Sequence, residues 1–254
     1  MNYIKGKTAL ITGASSGIGE TLAYELAKMG VNLVLVARNE RKLKEICQKI
    51  RSDFKIICKF VQLDVRDKKN VKKVLAPFAK KIDILINNAG LALGTELFEQ
   101  ASEDDFDVMI DTNIKGLLYV TKVFAQHFKT LETAHIINLG SVAGKFAYTG
   151  GNVYCTTKAA VKMLSEALNV DFFGTNVKVS LIAPGAVKTN FSVVRYKGDK
   201  QKADAVYKGY EPLVSKDIAN LICYILNTPP NVNIQYADIM PTAQRNPFVF
   251  DKNN

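Results

Sequence analysis

"TALITGASSGIG", residues 8–19, joins a short apolar run to a turn crowded with glycine and serine, and then to a segment with helical periodicity. Gly13, Gly17 and Gly19 allow a tight turn, close approach of the backbone to an oxyanion, and intimate packing of helix on strand. Gly13, Ser15, Ser16, Gly17, Ile18 and Gly19 are therefore expected to form a phosphate-binding turn, with the free N–H groups of the following helix aimed at a pyrophosphate. A glycine-rich turn alone carries little information. Lodged between a strand and a helix, it predicts the first βα unit of a dinucleotide-binding sheet.

Outward from that turn the alternation repeats. Helical periodicity over 18–29 closes at Gly30, and "VNLVLVA" (31–37) reads as the next strand. Helices over 39–52, 67–80, 103–127, 154–173 and 216–226 then alternate with extended runs at 58–64, 82–87, 135–140, 177–183 and 234–239. Seven strands in this pattern predict an α/β fold, a Rossmann-type doubly wound parallel sheet with helices on both faces. Near-continuous Val, Ile and Leu runs suit strands buried on both sides. No Pro-, Gly- or Ser-rich linker and no internal repeat interrupts the chain, so residues 1–254 are expected to form one domain. The weakly patterned stretches are 189–212, read as a lid, and the tail 240–254.

Composition narrows the function classes. The start, "MNYIKGKTALITG", runs into a strand without the pattern of a secretory leader, and apolar runs stay far below the roughly 18 to 20 residues needed to span a bilayer. A cytoplasmic protein with no membrane association is expected. Cys47, Cys58, Cys155 and Cys223 lie far apart without a C-x-x-C, and only His127 and His135 offer imidazoles, so neither a metal site nor a disulfide framework is expected. Cys155 is read as an inert thiol. The formal charge of +10 suits anionic ligands, but its densest stretch, 66–81, reads as an amphipathic helix with a solvated basic face. Nucleic-acid binding is not expected.

Three further features carry chemistry. In "YCTTK" (154–158), Tyr154 and Lys158 stand one helical turn apart on one face, about 6 Å along the axis. A cation beside a phenol favours the phenolate, lowering a pKa that starts near 10 and making a proton donor and acceptor for neutral pH. Arg38 ends the second strand where an acidic residue would take the ribose 2′-hydroxyl of NAD, and its guanidinium suits a 2′-phosphate, which favours NADP. Asp64, ending the third strand, is read as an acceptor for the adenine amino group, with Val65 packed beside the ring.

These residues, with "NNAG" (87–90), Asn113 in "DTNIKG", Ser141, and "PG" (184–185) with Thr189, resemble the short-chain dehydrogenase/reductases over nearly the whole chain, six motifs in order. The resemblance implies Tyr154 as general acid and base. It implies Lys158 as the group that lowers the phenol's pKa and holds the nicotinamide ribose, Ser141 as a hydrogen-bond donor to the substrate oxygen, and Asn113 as the holder of a relay water. Asn88, Ala89, Gly90, Pro184, Gly185, Val187 and Thr189 join Tyr154 and Lys158 as implied cofactor contacts, and no metal is implied.

"NNAGLALG", "GGNVY", "TNFSVVRYKGD" and "MPTAQ" are more closely similar to the NADP-dependent 3-hydroxy acid dehydrogenase subgroup, which acts on serine, allo-threonine, 3-hydroxypropionate and related acids. Two positions depart from it: Ile182-Ala183 where an acidic residue often precedes Pro-Gly, and Asn39 where a second basic residue often follows the arginine. Reduction of a carrier-bound 3-oxoacyl group, or non-catalytic cofactor sensing, are the other functions this fold serves. The complete Asn113, Ser141, Tyr154, Lys158 set points away from a sensor. In the lid, Arg195 lies among apolar neighbours and is expected to pair with the carboxylate of a small-molecule substrate. The resemblance also implies a homotetramer, built on the helices at 103–127 and 154–173 with Phe172, Phe173 and the tail "NPFVF".

Overall fold

The computed structural model describes residues 1–252. From the N-terminus, β1 (Thr8–Thr12), α1 (Gly17–Lys28), β2 (Asn32–Ala37), α2 (Glu40–Asp53), β3 (Cys58–Gln62), α3 (Lys68–Leu75) and β4 (Ile84–Asn87) build the first half. The second half contains α4 (Glu103–Ile110), α5 (Leu117–Phe128), β5 (Ala134–Leu139), α6 (Asn152–Asp171) and β6 (Val177–Pro184). It continues through β7 (Val187–Lys188), α7 (Phe191–Arg195), α8 (Lys200–Ala205), β8 (Leu213–Val214), α9 (Ser215–Leu226) and β9 (Tyr236–Ile239). Seven strands form one parallel sheet in the order β3-β2-β1-β4-β5-β6-β9, the doubly wound arrangement that the strand pattern predicts.

Strand alternation decides which side chains meet which helices. Leu33 and Leu35 of β2 turn to the face covered by Leu22 and Leu26 of α1, Leu43 and Ile46 of α2, and Ile222 of α9. Val34 and Val36 turn to the opposite face, against Val71 and Leu75 of α3 and Phe124 and Phe128 of α5. Each such fully buried side chain contributes about 2 kcal/mol by leaving water, so the sheet is fixed from both sides and its strand ends form a rigid rim.

Four local features differ from the sequence expectation. The unbroken helix over 103–127 is instead α4, a π-helical turn at Asp111–Gly116, and α5. The reason is packing: a Cβ on Gly116 would lie 2.6 Å from Val65 Cγ2, and the Asn113 amide is bonded to Leu91 and Thr157, so the wider turn is held by its neighbours. The stretch 189–212 is not irregular; it holds α7 and α8, and it is followed by β8, which pairs in parallel with β7. Between those helices Lys197 is the only non-glycine residue with positive φ (52°) among the described residues.

The tail folds over its own chain. Asp251 N–H donates to Ala243 O at 2.8 Å, and the Phe250 and Tyr210 rings stand 5.1 Å apart; residues 253 and 254 lie outside the described residues. Finally, Cys47 and Cys58, remote in the chain from any paired-cysteine motif, meet between α2 and β3 with their Sγ atoms 2.7 Å apart, and all four cysteines are free thiols. Among the described residues no helix is long and apolar enough to cross a membrane.

Candidate active site

Strand order reverses between β1 and β4, and a doubly wound sheet opens its crevice at the carboxyl ends of the strands at such a switch point. A cleft of about 760 Å³ lies there. At its floor the β1–α1 turn runs through Gly13 (φ 66°) and Gly17 (φ 56°), conformations that disfavour any side chain. A Cβ on Gly19 would lie 2.5 Å from Gly13 O, so this glycine closes the turn from behind. A Cβ on Gly17 meets nothing nearer than Thr189 at 3.6 Å, so its absence leaves room on the cleft side. Ser16 precedes α1 without a side-chain capping bond, leaving the first helical N–H groups for a ligand. These features fit a pyrophosphate. Thr12 fastens the neighbouring segment: its Oγ1 accepts from the N–H groups of Asn88 and Ala89, both at 3.0 Å, while Asn88 Nδ2 donates to Thr12 O.

At one end of the cleft Arg38 emerges exposed from β2, and its guanidinium has no hydrogen-bond or ion-pair partner among the described residues. Asn39 does not extend that charge. It caps α2, its Oδ1 accepting from Lys42 N–H at 3.0 Å. Asp64 and Val65 line the same end, but the Asp64 carboxylate is not free: Arg66 holds it with Nη2 2.6 Å from Oδ2.

At the other end Ser141, Tyr154 and Lys158 share one wall. Ser141 Oγ accepts from Ala143 N–H at 3.1 Å, which starts a short 3₁₀ turn and fixes the hydroxyl. Lys158 Nζ donates to Leu139 O at 2.8 Å and stands 6.0 Å from the centre of the Tyr154 ring. Burial lowers its pKa to about 8. The spacing of the pair leads one to expect a lowered phenol pKa, but the structure corrects this. Burial, then the neighbouring Tyr148, push Tyr154 above its ordinary value, and the Ser141 hydrogen bond and Arg195 only partly oppose them. One of the three N–H donors of Lys158 goes to the β5 carbonyl, and desolvation of the phenolate dominates the Tyr154 pKa.

Asn113 lies behind the wall. Its Oδ1 accepts from Leu91 N–H at 2.9 Å, and its Nδ2 donates to Leu91 O and Thr157 Oγ1 at 2.8 and 3.0 Å. The side-chain amide thus holds the Leu91 backbone with both of its donors and one of the two acceptor sites of Oδ1 engaged, and one acceptor site remains. A Cβ on Gly90 would lie 3.2 Å from Asn113 Oδ1 and 3.4 Å from Lys158 Nζ, so these groups converge where the chain has no side chain.

Pro184, Gly185, Val187 and Thr189 border the cleft, as does Arg195 from α7. Arg195 is less free than its place in a lid suggests. Nε donates to Gly94 O at 3.1 Å, Nη1 to Tyr148 Oη at 2.6 Å, and Nη2 to Gly150 O at 3.2 Å. Its guanidinium carbon lies 5.3 Å from the Tyr148 ring centre and 5.7 Å from that of Tyr154. Three of a guanidinium's five N–H donors are used, and two remain. The sequence reading missed Tyr148, Phe191, whose ring lies 5.6 Å from that of Tyr154, and Gln244, whose Oε1 accepts from Ala186 N–H at 2.9 Å. No local pattern assigns them a role, although "TNFSVVRYKGD" contains Phe191 and "MPTAQ" contains Gln244.

Proton chemistry at one end of a cleft and a diphosphate cradle along its floor leave hydride exchange with a dinucleotide as the reaction class this architecture serves. The chain belongs to the short chain dehydrogenase family, whose model matches residues 7–200. It is 42% identical over 248 residues to an NADP-dependent 3-hydroxy acid dehydrogenase of Schizosaccharomyces pombe, covering 96% of each chain. It is 41% identical to sulfoacetaldehyde reductase 2 of Chromohalobacter salexigens, over 92% of this chain and 94% of that one. Among solved structures, the closed form of a serine dehydrogenase complexed with NADP+ superposes with a TM-score of 0.89 at 38% identity, over 94% of this chain and 96% of the other.

Proposed function

We propose that this NADP-dependent dehydrogenase exchanges hydride with C3 of a small 3-hydroxy or 3-oxo acid, of the serine, allo-threonine and 3-hydroxypropionate class. The observation that carries the reading is Arg195: a guanidinium with two uncommitted N–H donors in the cleft wall, 5.7 Å from the ring of the proton-exchanging tyrosine. Its rigid fork matches a carboxylate. The names of the similar proteins support the same substrate class.

Bound NADP(H) supplies or accepts the hydride. The chain's own part is proton exchange, polarisation and orientation. Tyr154 gives a proton to the substrate oxygen or takes one from it, and burial, which raises its pKa, favours the protonated phenol that donates. Ser141, held by Ala143 N–H, offers its hydroxyl to the same oxygen. Lys158 provides positive charge beside both. Arg195 turns binding at the remote carboxylate into orientation at C3, and α7 and α8 act as a lid that excludes water.

A 3-oxoacyl group on a carrier protein is less well suited, because the lid presents a guanidinium and two phenols, Tyr196 and Tyr207, at the cleft. The sulfonate of sulfoacetaldehyde, by contrast, would suit the same fork. A panel of serine, allo-threonine, 3-hydroxypropionate, 3-hydroxyisobutyrate and sulfoacetaldehyde, followed by NADPH absorbance, tests the assignment; turnover of none of them would remove it. Arg195→Ala is expected to lower kcat/KM for the acid by about one to two orders of magnitude, the scale of one lost charged hydrogen-bonding partner. Since Arg195 also ties α7 to Gly94 and Gly150, the methyl ester of the acid is the control: its loss measures the lid alone, and equal losses on both substrates would take Arg195 out of substrate recognition.

We also propose a homotetramer acting in a reducing cytoplasm, where its free thiols persist. On α6 and just beyond it, Met163, Val170 and Phe173 are 61%, 74% and 91% exposed, an apolar surface of the kind partner subunits cover. Phe172 is not part of it, being buried in its own subunit beneath Lys129. Light scattering is expected to give four times the 28.0 kDa chain mass; a monomer would refute the assembly.

A further inference from the structure

The adenosine end of the cleft holds two charges of opposite sign, Arg38 and Asp64, and a third group behind them. Arg66 is not part of the cleft lining. It follows Asp64 by two residues and folds back onto it. Its backbone N–H donates to Asp64 Oδ1 at 3.0 Å, Nε lies 3.0 Å from both carboxylate oxygens, and Nη2 lies 2.6 Å from Oδ2. Both side chains are about one third exposed, at 34% and 31%, so the pair is partly screened and adds little to stability. Its geometry matters more for what the carboxylate would do alone.

A bare carboxylate at this place would act in two ways, both adverse to NADP. It would repel a 2′-phosphate brought to Arg38, since bringing like charges together raises the energy of the complex. It would also attract Arg38, which has no other partner among the described residues and already helps, after Arg66, to hold the Asp64 carboxyl below the usual carboxylate range. We infer that Arg66 is a positioning residue for cofactor choice: it neutralises and immobilises Asp64, so that Arg38 stays available to the 2′-phosphate. This rests on the NADP site with Arg38 at its ribose end and adds a residue that touches neither ribose nor phosphate.

The test measures kcat/KM for NADPH and for NADH in four variants at low and high salt. Arg66→Met is expected to lower the NADPH to NADH ratio by about tenfold at low salt, and by less at high salt, where the repulsion is screened. Asp64→Asn/Arg66→Met should restore the ratio to within about threefold of wild type, because the unopposed charge is gone. Asp64→Asn alone should raise the ratio, since Arg66 is then unpaired beside the site, and this variant decides the matter if Arg66→Met does not fold. Equal losses on both cofactors, a double variant no better than Arg66→Met, or an unmoved ratio in Asp64→Asn would overturn the inference. Arg38→Asp is measured alongside: if it leaves the ratio unchanged, the Arg38 site has failed, whereas a reversal there with no response at Arg66 refutes Arg66 alone.

Discussion

Tyr154→Phe is expected to lower kcat by about three orders of magnitude while the Kd for NADPH changes by less than about threefold. The substitution removes one oxygen from a side chain that is otherwise a packing element: the ring is 8% exposed and lies 5.6 Å from the Phe191 ring, contacts that phenylalanine keeps. Lys158 keeps its bond to Leu139 O, because that bond does not pass through the phenol. Binding and folding should therefore survive, and the loss should fall on the proton step alone. Stopped-flow turnover together with NADPH fluorescence titration separates the two. Activity within tenfold of wild type would move proton exchange to another group, with Tyr148, a second phenol of the cleft wall, as a candidate.

Arg38→Asp should change the NADPH to NADH ratio of kcat/KM by about two to three orders of magnitude and reverse the preference. Asn39, which follows Arg38, carries no charge and caps α2, and Arg66 is committed to Asp64. An aspartate at the end of β2 would repel the 2′-phosphate and accept from the ribose 2′-hydroxyl of NADH. Arg38 is exposed and unpaired among the described residues, so its removal should leave the fold intact. A variant that still favours NADPH would show that the 2′-phosphate is read elsewhere.

The contrast between these residues shows what a chain reveals before it folds. The sheet and the glycine turn were legible because their signals are local: apolar runs with a period, and glycines where φ is positive. The spacing of Tyr154 and Lys158 correctly placed both on one face of α6. The phenol's pKa is shifted upward instead of downward, because burial and Tyr148, neither of which the spacing reports, outweigh the groups that lower it. Arg195 was legible as a cation in a lid, but not as a tie, since Gly94 and Tyr148 lie 101 and 47 residues away in the chain. Periodicity extends a helix through 111–116 because nothing in the local pattern reports that Gly116 must come against Val65. What escaped the sequence was, in each case, decided by a distant partner.

The wide turn at Asp111–Gly116 makes the direction of α5 a matter of counting. An α-helix turns about 100° per residue, so removing one residue from 111–116 would rotate everything on one side of the cut by that amount relative to the other. With α4 held in place, Gly116 would leave Val65 and present a bulkier neighbour to it, and Phe124 and Phe128 would swing away from the sheet. With α5 held instead, the α4 side would rotate, and a cut after Asn113 would pull its amide from the Leu91 backbone. Replacing the exposed Lys115 by another polar residue disturbs none of these contacts. Across this stretch the number of residues is therefore a stricter requirement than the identity of an exposed one such as Lys115, and an engineer shortening this enzyme should leave 111–116 at full length.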